Sequence, residues 1–126
     1  TVSTANINSV TNKLDIAGGT LTGALNYASG NITNRDTSPS VKSGNVFKTA
    51  NLKATTISSF DDGASGQQIT IIIKDNLTTF QHGGGRGAGD LTLSSGGNWT
   101  AASGDTISFV SDGTYWYETN RSDNTR

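Results

Sequence analysis

The stretch Asp105–Asn120, DTISFVSDGTYWYETN, decides how this chain is read. Two runs that alternate apolar and polar residues flank Asp112-Gly113, the strongest short-range signal for a β-hairpin, since both central residues of its tight turn tolerate positive φ. A two-residue loop there pairs Ser111 with Thr114, Phe109 with Trp116 and Ile107 with Glu118. The other face then carries Val110 with Tyr115 and Ser108 with Tyr117. Ile107, Phe109 and Trp116 form the larger apolar set and are expected in the core. Tyr117 is the competing candidate for the buried aromatic.

Upstream, KATTISSFDDG (53–63) and QQITIIIKDN (67–76) are β-branched runs bounded by Asp, Gly and Asn, the pattern of strands between turns. In the second run Ile69, Ile71 and Ile73 share one face and belong to the core, while Thr70, Ile72 and Lys74 face the other way. LTTFQHG and DLTLSSGG are shorter strand candidates on either side of the glycine-rich HGGGRGAGD, residues 82–90.

The composition agrees. Thr, Ser, Asn and Gly make up about half of the 126 residues, and only 32% of the chain is apolar. These residue types favour pleated surfaces and turns over helix interiors. A net charge of −1 with 15% charged residues differs from the high net charge of most disordered chains. It also gives no reason to expect nucleic acid as a partner. No apolar run approaches a membrane span, so membrane insertion is not expected. The chain has no cysteine, which removes disulfides, thiolate metal sites and cysteine nucleophiles.

The N-terminal third reads differently. Ile7, Val10 and Leu14 follow a three-then-four spacing, extended by Ala17, which is the seam of a short coiled coil. Gly18-Gly19 ends any such helix. Leu21, Gly23, Leu25 and Tyr27 alternate like a short strand, with Ser29-Gly30-Asn31 as a turn, and Pro39 lies in a loop. So sparse an apolar set cannot bury itself. Ile7, Val10, Leu14, Leu21 and Leu25 are therefore candidates for a seam between copies of the chain. Residues 1–45 are expected to form this helical, coiled-coil or extended stem, and residues 46–126 a small antiparallel β-sandwich-like knob.

Two parts of the sequence resemble bacteriophage tail fibre and tailspike proteins. Lys13–Leu25, KLDIAGGTLTGAL, resembles a fibre module built around Gly18-Gly19-Thr20-Leu21-Thr22-Gly23. The ordered pair TTISSFDDGASGQQITIII and DTISFVSDGTYWYETNRS resembles a C-terminal β domain of phage fibres and spikes. The resemblance implies an intertwined homotrimer at the virion surface, assembled in the host bacterial cytoplasm. It also implies a docking partner among other virion proteins at the N-terminal end. The tip would attach to a host surface polysaccharide or outer-membrane receptor. A monomeric carbohydrate-binding β-sandwich of a secreted enzyme, and a capsid head fibre or decoration protein, are the alternatives.

The residues that carry chemistry are few. His82, the only histidine, has no second ligand at metal spacing and no triad partner, so a loop hydrogen bond is the expected role. Gly83–Asp90 lacks the Lys-Ser/Thr pair and the helix of a phosphate-binding loop. It reads as a flexible surface loop or as a tight crossing near the three-fold axis where only glycine fits, with Arg86 as the cation best placed for a sugar acid or phosphate. The aspartates lie mostly beside Gly or Asn at turns, where a carboxylate holds its own backbone. No paired-carboxylate hydrolase emerges from them, and the large β-helix that the resemblance associates with depolymerase catalysis has no room here. The protein is therefore not expected to be an enzyme, and neither a cofactor nor a metal is expected. Trp99 and Tyr115, with Arg86 and His82, are the candidates for contact with a glycan or other receptor.

Overall fold

A computed structural model describes residues 17–85 and 87–124, and these contain strands and no helix. The strands are β1 (Ser29–Asn31), β2 (Val46–Lys48), β3 (Thr55–Ile57), β4 (Gln68–Ile72), β5 (Thr78–Phe80), β6 (Leu91–Thr92), β7 (Trp99–Thr100), β8 (Thr106–Ser111) and β9 (Trp116–Ser122). A six-stranded sheet has the order β1-β2-β4-β8-β9-β6, and a three-stranded sheet has the order β3-β5-β7. Alternation sets the layers. In β4 and β8 every second residue is buried, and these inward residues meet the inner face of the small sheet. Phe80 of β5 touches Phe109 of β8, and Phe60 packs edge-on against both Phe109 and Trp116. Ile69, Ile71, Ile73, Ile107, Phe109 and Trp116 are all in this core, with Ile57, Phe80, Leu91 and Phe47.

The sheets are mixed, which corrects the expectation of an antiparallel sandwich. The β4/β8, β8/β9 and β5/β7 pairs are antiparallel. The β1/β2, β2/β4, β3/β5 and β6/β9 pairs are parallel. The physical reason lies in strand length. Strands of two or three residues are joined by long loops that return the chain to the same end of the sheet, which a tight hairpin cannot do.

Residues 29–45 share in this domain. Ser29–Asn31 forms the edge strand β1 rather than a turn, and Gly30 pairs with Phe47, whose ring lies 3.6 Å from where a Cβ on Gly30 would stand. Ile32 and Val41 are in the core. No break in packing therefore falls at 45/46. The alternating segment Leu21–Tyr27 forms no strand, Ala17 is in a turn, and residues 17–28 are exposed. Ile7, Val10 and Leu14 of the expected seam lie outside the described residues, as does Arg86.

The hairpin at Asp112-Gly113 forms with a different loop. Ser111 pairs with Trp116, Val110 with Tyr117 and Phe109 with Glu118, so four residues, 112–115, make the connection. Asp112 Oδ1 accepts the N–H groups of both Thr114 and Tyr115 at 2.8 Å, and only Gly113 of the Asp-Gly pair takes positive φ. The carboxylate stabilises a longer turn than the two-residue one, which needs positive φ at both central positions. Because the register moves by an even number of residues, Phe109, Ile107 and Trp116 still face inward.

A buried polar knot ties the loops beneath the sheets. Asp75 accepts the N–H of Asn51 and of Leu77, and the hydroxyl of Thr78. Asn51 in turn donates to Thr78 and accepts from Arg35 N–H. Burial alone pushes the Asp75 carboxyl upward, but its hydrogen bonds to Thr49, Asn51, Leu77 and Thr78 outweigh that and hold it below its ordinary range.

Candidate functional site

Of the sequence candidates for receptor contact, Trp99 and His82 lie in one region and Tyr115 in another. Trp99, on β7, pairs across the strand with Phe80 and stacks on it at 5.9 Å. The Arg121 guanidinium lies 4.5 Å from the centroid of the Trp99 ring. Arg121 also makes a two-pronged bond to Glu118, from Nε at 2.8 Å and from Nη2 at 2.7 Å. The Glu118 side chain is only 1% exposed, and its Oε1 accepts Ser94 N–H as well. Hydrogen bonding from Arg121 holds the Glu118 carboxyl below its ordinary range and raises Arg121 in turn. This set joins the last strand of the large sheet to the small sheet. Its chemistry is that of a clamp between layers, and the Trp99 face it covers is not free to stack on a sugar.

His82 joins the same region by a different route. Its Nδ1 accepts Leu93 N–H at 2.9 Å, and its own N–H donates to Asn98 Oδ1. It therefore orients the chain entering and leaving the glycine-rich loop. Tyr115 is half-buried in the 112–115 turn, and no hydrogen bond or ring contact among the described residues joins it to Trp99 or His82.

The glycine-rich segment is a close crossing within one chain. A Cβ on Gly89 would stand 2.5 Å from the Phe60 carbonyl oxygen, and one on Gly84 would stand 2.9 Å from the Asp90 carboxylate. Asp90 holds the segment through Gly87 N–H at 2.8 Å, and Gly89 bonds both Thr114 and Phe60 through its backbone. The other turn aspartates act alike. Asp105 accepts Ala102 N–H and Asn124 N–H, and Asp62 accepts the Ser40 hydroxyl at 2.6 Å. These carboxylates are engaged with the fold.

The segment ahead of β1 carries exposed apolar side chains. Leu21, Leu25 and Tyr27 are 52%, 58% and 60% exposed, more than any other large apolar residue among those described except Leu52. They stand within one short stretch, Leu21 to Tyr27, immediately before β1. Leu21 and Leu25 were candidates for the seam, and both lie at the exposed surface of the described chain.

Comparison with known proteins agrees with the sandwich. No curated protein and no solved structure matches the chain. A family model described as the phage depolymerase C-terminal beta sandwich domain matches residues 26–117 of the 126. That match covers most of the described domain, from just before β1 into β9, and it points to a depolymerase-related phage family rather than specifically to a tail fibre knob. The chain belongs to the family of phage depolymerase C-terminal beta sandwich domains.

Proposed function

We propose that this chain is a structural and adhesive part of a phage fibre or spike, assembled as a homotrimer and presenting its β domain to a host surface receptor. The observation that carries the reading is the leading segment. Leu21 and Leu25 stand in water in the single chain, and burying a leucine contributes about 1.5–3 kcal/mol. Copies of the same chain offer the same surface three times around an axis, so packing the segments together removes all of it at once. The fibre-like Gly18–Gly23 run lies in this segment, and the phage family gives it a virion setting. The segment ahead of it is the end that would dock to other virion proteins.

The reading includes no catalysis. Its support is that the carboxylates of Asp75, Asp90, Asp105 and Asp112 each accept a backbone N–H close by in sequence, which commits them to holding turns.

The test is a double variant, Leu21→Ser with Leu25→Ser, compared with the unaltered chain by light scattering and circular dichroism. The expected result is a fall from trimer to monomer with the β spectrum retained, because neither side chain belongs to the core. An unchanged assembly mass would remove the segment from the interface and overturn the reading.

A further inference from the structure

The outer face of the large sheet carries a groove of about 420 Å³, within the ~300–1,000 Å³ usual for ligand sites. It runs over β4, β8 and β9, and Tyr27, Gln68, Thr70, Ser108, Thr119 and Asn120 are among its lining residues. Among the described residues no charged side chain lines it.

The groove owes its lining to an irregularity in β9. Ser108 pairs with Asn120 and Phe109 with Glu118, so Thr119 is an extra residue, a β-bulge. Regular alternation would send Thr119 and Asn120 to opposite faces. With the bulge, Thr119 and Asn120 both line the outer groove while Glu118 and Arg121 both turn inward to form their ion pair.

The polar groups in the groove differ in how far they are engaged. Thr70 and Ser108 hydroxyls bond one another at 2.9 Å, and Gln67 spends its amide on the carbonyls of Val41 and Gly44. The Gln68, Thr119 and Asn120 side chains make no hydrogen bond to any described residue. Two amides and a hydroxyl thus face one ligand-sized groove with their donors and acceptors unused, beside the exposed Tyr27 ring.

That chemistry selects a class of ligand. An anion would meet no cation among the lining residues. An apolar ligand would strip water from Gln68 and Asn120 without returning a hydrogen bond, which is costly. An uncharged ligand rich in hydroxyls satisfies the amides in both directions and offers an apolar ring face to Tyr27. We propose that this groove binds a neutral oligosaccharide, a stretch of an uncharged surface polysaccharide. The proposal rests on the attachment reading above and gives it a site, distinct from the Trp99 clamp.

The experiment titrates the full chain, in its native assembly, with neutral hexose and N-acetylhexosamine oligosaccharides and with uronic-acid oligosaccharides as the charged comparison. Asn120→Ala, Gln68→Ala and Thr119→Trp are tested beside it, all at exposed positions, with solution mass and circular dichroism recorded for each. The expected result is binding of a neutral member and not of the charged ones. Binding should weaken about fivefold in each alanine variant, the loss of one ordinary hydrogen bond, and vanish in Thr119→Trp, with mass unchanged. Neutral-sugar binding that survives all three variants would overturn the groove and leave attachment standing through another surface. Variants that lower the assembly mass would make the groove an interface between copies and overturn the proposal. Failure of the unaltered assembly to bind any oligosaccharide would count against both the groove and attachment through a glycan.

Discussion

Glu118 and Arg121 stand three positions apart on one strand, yet both point into the space between the two sheets and bond at 2.7 Å. In a regular strand an odd spacing separates side chains to opposite faces. The extra residue Thr119 restores them to the same face. The Glu118 carboxylate is then nearly enclosed, and Arg121 reaches on to the Trp99 ring of the other sheet. The ion pair therefore fixes both the hairpin register and the contact between layers.

Arg121→Ala should lower the unfolding free energy by about 2–3 kcal/mol in chemical denaturation. Removing one member of an enclosed pair costs ~3–5 kcal/mol, and the figure is reduced because Arg121 keeps 23% of its surface in water. Glu118→Gln should cost less, since an amide oxygen still accepts from the guanidinium.

Trp99→Ala should act on stability and leave neutral-glycan binding unchanged. The ring is held by Phe80 and Arg121. A cation–π contact contributes roughly 0.5–1 kcal/mol in addition to lost packing. A cycle of Trp99→Ala and Arg121→Ala measured by denaturation would show coupling of that order. A glycan titration that lost Trp99-dependent binding would return the ring to the role the sequence suggested.

Stability should be flat near neutral pH and fall in acid. Glu118 and Asp75 both have folded-state pKa values below their ordinary 4.5 and 3.8. A carboxyl depressed by folding gives stability that is complete above its unfolded value and lost as the pH drops through its folded value. The loss should therefore begin as the pH passes down through 4.5 and 3.8 in turn. Thermal melts across that range should show a smaller acid-induced drop in Glu118→Gln than in the unaltered chain.

Glycine positions should divide sharply. A Cβ on Gly63 would stand 2.3 Å from Trp116 Cζ2, and one on Gly89, which also has φ of +88°, would meet the Phe60 carbonyl. Either alanine substitution should cost about 1–3 kcal/mol from overpacking, or more for Gly89 because of its backbone. Gly97→Ala, with open space around it, should be within ~0.5 kcal/mol of neutral. Denaturation midpoints of the three variants check the contrast.

Local pattern reveals the inward faces in this protein more readily than the pairing. Ile69/Ile71/Ile73 and Ile107/Phe109 announce themselves because alternation survives an even change of register, as it does at the Asp112 turn. Direction is another matter. The parallel neighbours β2 and β4 are separated by about twenty residues of loop and short strand, and nothing local in either run distinguishes parallel from antiparallel. Ser29-Gly30-Asn31 has turn composition, and it becomes a strand because it pairs with Val46–Lys48, a partner from elsewhere in the chain. The bulge at Thr119 was equally hidden. Its one trace in the sequence is an acid and a base at Glu118 and Arg121, on what pure alternation makes opposite faces. That trace also places the groove residues, which composition alone could not single out from so many Thr, Ser and Asn.

The most direct test of the account is the solution mass of the intact chain, by light scattering at several concentrations. Self-association through the leading segment predicts a stable species of about three times the 13.0 kDa chain mass. A monomer that persists at every concentration would contradict it, leaving Leu21 and Leu25 exposed with no partner of their own kind.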